Sequence, residues 1–168
     1  MQNNKINIRT HKAAGILPIV EIDNNIYFIL GKERNGEFSD FGGYKNSSET
    51  SEETALREFD EESMGVLFNK KKLQKIISTL PRYINKKENY VTFLLKLKYK
   101  PEIINTYNIL LNRIKQCNNK NKLPICDSGL LEKTEFKLFT IDQILKNKQI
   151  RKKFRESFKM LLNKIKND

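Results

Sequence analysis

Apolar and polar positions along the 168-residue chain follow two rhythms. Lys12 to Glu21 (KAAGILPIVE) and Asn25 to Lys32 (NIYFILGK) are apolar runs of strand length, separated by the turn pair Asp23-Asn24. Leu73 to Leu80 reads as a further strand. Tyr90 to Tyr99 (YVTFLLKLKY) alternates clearly and reads as another, as does Thr134 to Thr140. Elsewhere the spacing is helical. Ala55, Leu56, Phe59, Ser63 and Val66 form one core-facing stripe, and Ile103, Tyr107, Leu110, Leu111 and Ile114 form another over Glu102 to Gln116. A polar loop, Asn118 to Asp127, precedes the last strand, and two helices close the chain. Strands alternating with helices in this order predict an α/β sandwich with a mixed sheet.

Charge sharpens one part of this pattern. The chain has 32 basic and 20 acidic side chains and a net charge of +12. Seven of the acidic residues lie between Glu49 and Glu62, with Arg57 the one basic residue among them. Glu58, Glu61 and Glu62 are spaced i, i+3, i+4, so a helix gathers them on one face. Like charges so placed repel by a few tenths of a kcal/mol per pair. Three carboxylates beside a core-facing stripe offer oxygen ligands to a hard cation such as Mg²⁺. They also fit a solvated acidic helix face. Thr50 followed by Glu53 reads as a capping box, starting the helix near Ser51 and giving Glu53 a structural task. Gly65 reads as its stop. Phe41-Gly42-Gly43 places a double glycine at a strand end, where backbone can approach a ligand.

Gly43, five residues, Glu49, seven residues and Arg57-Glu58-Phe59-Asp60-Glu61-Glu62 together resemble the Nudix box, G-x5-E-x7-R-E-U-x-E-E-x-G-U with U apolar. The departure is an extra residue, Ser63-Met64 standing where the pattern has one residue before Gly65-Val66. The resemblance implies a Nudix-like α/β/α sandwich and a single hydrolase domain over residues 1–168. It implies that Glu58, Glu61 and Glu62, with the carbonyl of Gly42, hold Mg²⁺ or Mn²⁺. It makes Arg57 a structural partner of Glu49 or Glu61. A later glutamate completes such sites or acts as base. Glu132 and Glu135 stand near the last strand, and Glu132, in the loop, is the choice. Either Glu62 or Glu132 would accept the proton of the attacking water. The implied reaction is hydrolysis of a diphosphate linkage in a nucleoside diphosphate joined to another group.

Outside the acidic window 31 basic side chains face 13 acidic ones, a balance that suits a polyanionic ligand. The expected substrate is the capped 5′ end of RNA, with diphosphoinositol polyphosphates and then dinucleoside polyphosphates as alternatives. A catalytically inactive Nudix-fold RNA-binding module is the reading from another class, and the intact R-E-x-x-E-E speaks against it. From Gln149 onward, Ile150, Phe154, Phe158, Leu161, Leu162 and Ile165 share one helix face, while Lys148, Arg151, Lys152, Lys153, Arg155 and Lys159 populate the rest. That helix either packs on the sheet with a solvated basic face or touches RNA or another polyanion. Arg82-Tyr83 is a candidate phosphate-and-base contact within what also reads as a polar hairpin. No apolar run reaches spanning length, MQNNKINIRTHK lacks a signal-peptide core, and Cys117 and Cys126 read as free thiols. A cytoplasmic protein without integral membrane association is expected.

Overall fold

The computed structural model describes residues 11–119 and 131–167. Cys126 and most of the polar 118–127 loop lie outside them, as does the side chain of Cys117. Strand β1 (Ala13–Ile22) and strand β2 (Asn25–Glu33) form the opening hairpin. Its turn residues Asp23 and Asn24 both hold positive φ, 48° and 61°. Two left-handed residues in a row match the twist of the flanking strands. After a short loop, β3 (Phe38–Ser39) pairs with β2 and β4 (Phe41–Tyr44) pairs with β1. Asp40 is the one residue between them, at the point where the chain changes partner.

Helix α1 (Ser51–Ser63) follows, capped as the sequence predicts: Thr50 Oγ1 accepts from the Glu53 N–H and Glu53 Oε2 accepts from the Thr50 N–H. Its exit absorbs the extra residue of the box. Met64 takes φ 52° and Gly65 φ 65°, so two consecutive left-handed residues end the helix.

The segment read as a strand over Leu73 to Leu80 is helical. Helix α2 covers Lys70–Ile76 and a 3-10 turn covers Ile77–Thr79. Asn69 caps α2 by accepting from the Lys72 N–H, and Leu73 and Ile77, four apart, bury on one side. A short apolar run does not by itself distinguish strand from helix. Pairing resumes in β5 (Arg82–Asn85), antiparallel to β6 (Tyr90–Leu97). Then come α3 (Glu102–Asn119), β7 (Lys133–Phe139), α4 (Ile141–Lys146) and α5 (Lys152–Asn167).

The sheet runs β3-β2-β1-β6-β5, with β4 beside β1 and β7 beside β2. β1 and β6 are parallel and the other pairs antiparallel, giving the mixed sheet. Alternation sends neighbouring residues to opposite faces. Ile16, Ile29, Phe93 and Leu95 join Leu56, Phe59, Leu73 and Tyr107 in one core, beneath α1, α2 and α3. Leu17, Phe28 and Leu30 join Ile144, Phe154, Phe158 and Leu161 in the other, beneath α4 and α5. Three layers result, an α/β/α sandwich. Ile150, Phe154, Phe158 and Leu161 of the apolar stripe from Gln149 onward are therefore packed on the sheet, and the side chain of Ile165 lies outside the described residues.

Candidate active site

The capping geometry of α1 fixes the direction in which its carboxylates leave the helix. Arg57 gathers them. Its Nε donates to Glu49 Oε1 (2.7 Å) and its Nη2 to Glu49 Oε2 (3.0 Å), a two-pronged pair. Nη1 donates to Glu58 Oε1 (2.7 Å) and Glu61 Oε2 (3.3 Å), and Nη2 also reaches the Tyr44 carbonyl (3.0 Å). Arg57 thus ties the helix to the end of β4. These bonds hold the Glu49 carboxyl down at about 2 and raise the proton affinity of the guanidinium further.

Glu58 and Glu62 sit deeper. Burial raises the pKa of Glu58 against the pull of Arg57, and its carboxylate lies on bare backbone: a Cβ at Gly43 would fall 2.5 Å from Glu58 Oε1. Glu62 is 3% exposed. It accepts from the Gly42 N–H (2.8 Å) and lies 3.4 Å from the ammonium of Lys133. Desolvation pushes it up to about 8 despite Lys133, with the charges of Glu58, Asp40 and Glu132 adding to the rise.

Lys133 is the residue that sequence reasoning missed. It is 1% exposed, and its Nζ donates to Ser39 Oγ (2.8 Å) and the Asp40 carbonyl (3.0 Å). Its carbonyl accepts from the buried Tyr107 hydroxyl (2.7 Å). Simple alternation would turn it away from Phe136. A bulge reverses this: Lys32 faces Glu135 but Glu33 faces Lys133, so Thr134 is an extra residue in β7. The lysine stem then crosses Gly31, where a Cβ would fall 2.7 Å from its Cδ. A glycine inside an apolar strand marks a close approach, and Gly31 was the available signal. Asp40 completes the cluster. Its Oδ2 accepts from the Tyr90 hydroxyl (3.0 Å), and burial lifts it to about 6, offset in part by Lys133. Tyr90 reaches it across the paired glycines Gly15 and Gly42, which leave no room for a side chain there.

A cleft of about 520 Å³ opens from this cluster across the sheet toward α5. Glu62, Gly42, Glu132 and Tyr83 line it, together with cationic Arg34 and Arg151. Glu132 is exposed on its wall. Glu58, Glu61, Glu49 and Arg57 stand behind the lining. Arg82 lies outside the cleft and pairs with Glu52 on α1 (3.2 Å), while Glu135 pairs with Lys137 (2.9 Å) and Lys32 (3.5 Å). Of the basic residues on α5 and its approach, Arg151 is held by Glu33 (3.1 Å), and Lys153 lies 3.6 Å from Glu88.

Among the described residues no three His, Cys, Asp or Glu side chains converge in a metal-holding arrangement. The donor chemistry still fits a hard divalent cation. Arg57 engages one oxygen of Glu58 and one of Glu61, the Gly43 backbone leaves space beside Glu58, and mutual repulsion among buried carboxylates is what a cation relieves.

No family model and no curated protein sequence matches the chain. Solved structures do. A C. elegans Ap4A hydrolase in a binary complex superposes with a TM-score of 0.54 at 14% identity, over 94% of this chain and all of that one. RenU, a Nudix hydrolase from M. smegmatis, gives 0.50 at 14% identity over 94% and 88%. The NUDIX domain of Shewanella oneidensis NrtR, complexed with ADP ribose, gives 0.50 at 10% over 91% and 86%. The chain has the Nudix fold, and the box that resembles the family's runs from β4 through α1. No helix among the described residues is long and apolar enough to cross a membrane.

Proposed function

We propose that the protein is a divalent-metal-dependent pyrophosphohydrolase acting on two nucleosides joined through a polyphosphate, the capped 5′ end of an RNA being the favoured form. The observation that supports this reading is that Glu62, the innermost box carboxylate, lines one cleft together with Gly42, Glu132, Tyr83 and Arg151. Its volume suits one nucleoside with its phosphates and leaves the rest of a longer substrate outside.

Glu58, Glu61 and Glu62, with the Gly42 carbonyl, would hold Mg²⁺ or Mn²⁺. Such ions lower the pKa of water and offset charge on phosphoryl oxygens. Arg57 keeps Glu58 and Glu61 aimed, with Glu49 as its anchor. The Gly42 N–H and Lys133 fix Glu62. Either Glu62 or Glu132 accepts the proton of the attacking water. Arg34 and Arg151 present forked donors to phosphate oxygens, and Tyr83 presents a ring to a base.

Charge favours RNA over a free dinucleotide, because the basic excess lies outside the acidic helix. A free dinucleoside polyphosphate is the second reading, supported by the cleft's capacity for a single nucleoside and by the likeness to an Ap4A hydrolase. Measuring kcat/KM for long capped RNA and for the cap dinucleotide, at low and at physiological salt, separates them. The RNA reading expects a large advantage for the long substrate that shrinks steeply with salt. Equal values at low salt would move the assignment to the dinucleotide. Strong competition by inositol hexakisphosphate, without dependence on RNA length, would move it to diphosphoinositol polyphosphates.

A further inference from the structure

Strand pairing aligns residues in rows across the sheet, and two of these rows build the cleft floor. One row is Tyr44 on β4, Ala13 on β1, Tyr90 on β6 and Asn85 on β5. The next is Gly42, Gly15, Thr92 and Tyr83. Directly paired residues share a face. Asn85 donates to Ser157 on α5 (2.6 Å), so both rows face α5 and the cleft. Their middle positions are Ala13 and Tyr90 in the first row and Gly15 and Thr92 in the second, and Tyr90 folds over Gly15 and Gly42 toward Asp40. Each row ends in one tyrosine, at opposite edges. Tyr83 stands on the wall near α5. Tyr44 stands three strand spacings away, about 14 Å, beyond the Gly42-Gly43 backbone that meets Glu62 and Glu58.

The two tyrosines differ in setting. Tyr83 is partly covered by the apolar layer under α5. Tyr44 lines the cleft yet is 79% exposed, the most exposed of the large apolar side chains among the described residues. A ring left in water on a strand end gains nothing for the core. Its backbone is nevertheless fixed, because the Tyr44 carbonyl accepts from Arg57 Nη2 and Arg57 is clamped by three glutamates. A ligand reaching from Tyr83 along the cleft passes over Tyr90, which covers Gly15 and Gly42, and then meets Tyr44.

We propose that Tyr44 is the stacking platform for the second nucleobase of a two-base polyphosphate, a specificity-determining residue at the open side of the box carboxylates. The inference rests on the hydrolase reading above for its substrate class. Tyr44 sets apart substrates that carry a base on both sides of the phosphates from those that carry one.

The test uses binding as well as turnover. The chain has no tryptophan, so Tyr44→Trp introduces a single indole whose fluorescence a stacked base quenches. The full-length variant is titrated with Ap4A, with ADP-ribose and with inorganic tripolyphosphate, without divalent metal so that nothing is hydrolysed. Saturable quenching by Ap4A, far weaker with ADP-ribose and absent with tripolyphosphate, is the expected result. In parallel, Tyr44→Ala lowers the ratio of kcat/KM for Ap4A to that for ADP-ribose by about tenfold, chiefly through KM, and Tyr44→Trp restores it. An enzyme that cleaves Ap4A while Tyr44→Trp shows no quenching, or an unchanged ratio in Tyr44→Ala, overturns the platform and leaves the hydrolase reading standing. Base-specific quenching in a protein that cleaves no phosphoanhydride does the reverse: it supports the platform and removes the hydrolase reading.

Discussion

Two cations hold the box carboxylates, in opposite settings. Arg57 lies on the same helix as Glu58 and Glu61, eight residues from Glu49, and stays partly in contact with solvent. Lys133 comes from a strand some 70 residues farther along and is sealed from water. Arg57 wins its contest with desolvation: Glu49 is held at about 2, so it is ionised at any ordinary pH. Lys133 does not: burial still lifts Glu62 to about 8 and Asp40 to about 6. A planar fork bonded twice to Glu49 keeps that partner charged, although burial still raises Glu58 beside it, whereas one ammonium shared among Ser39, Asp40, Glu33 and Glu62 leaves two acids drawn toward their neutral forms. The first network is a rigid brace. The second is a store of charge that a bound cation would rearrange.

The largest expected effect comes from removing the carboxylate where the second network meets the cleft. Glu62→Gln keeps the fold, seen as an unchanged far-UV spectrum, and lowers turnover by about 10²-fold or more, since an amide is a weaker ligand and a poor base. Wild-type turnover in this variant, on the proven substrate, would remove Glu62 from the site. Next in size is Lys133→Met, which fills much of the same space but leaves buried acids without their cation. It costs about 3 kcal/mol or more, roughly ten degrees in Tm. A variant as stable as wild type would mean that the buried acids need no counter-charge.

Arg57→Lys acts on the brace. An ammonium cannot bond Glu49 through two parallel N–H groups and still reach Glu58, Glu61 and the Tyr44 carbonyl. Tm falls by a few degrees, about 1–2 kcal/mol, and activity falls with it. Loss of activity with Tm and metal affinity unchanged would instead make Arg57 a substrate contact.

The remaining effects are pH slopes, and they have opposite signs. Glu49 has a folded value lowered from 4.5 to about 2, so its stabilisation is complete above 4.5 and is lost as pH falls toward 2. Glu62 has a folded value raised from 4.5 to about 8, so its neutral form favours the fold below 4.5 and that advantage is lost as pH rises through 8. Metal-free wild type should therefore lose Tm between pH 5 and pH 8 relative to Glu62→Gln. Mg²⁺ should narrow that gap. Parallel pH profiles for the two proteins would show that Glu62 does not titrate in this window.

The helix cap, the carboxylate triad and the hairpin turn were legible because each depends on neighbours within a few residues. Thr50 and Glu53 cap one another, Glu58, Glu61 and Glu62 share a face by helical geometry alone, and Asp23-Asn24 tolerate the left-handed turn. The resemblance to the Nudix box paired Arg57 with Glu49 or Glu61; that it engages both, and Glu58 as well, needed the packed end of β4. Leu73 to Leu80 misled because a short apolar run carries no decisive period, and the Asn69 cap with burial on α1 settled it as helix.

What the sequence determined by itself is the set of residue types gathered at the candidate site and most of the order of the elements, both written in residue type and local spacing. What only the tertiary structure decided is which distant groups share one low-dielectric space. A single extra residue in β7 turns Lys133 inward, a change of partner strand buries Asp40, and two facing glycines admit the Tyr90 hydroxyl. None of these has a periodic signature, because each arises from contacts between strands rather than along one. Yet desolvation in that shared space sets the proton affinity of Glu62, and so the charge that the site presents to a cation.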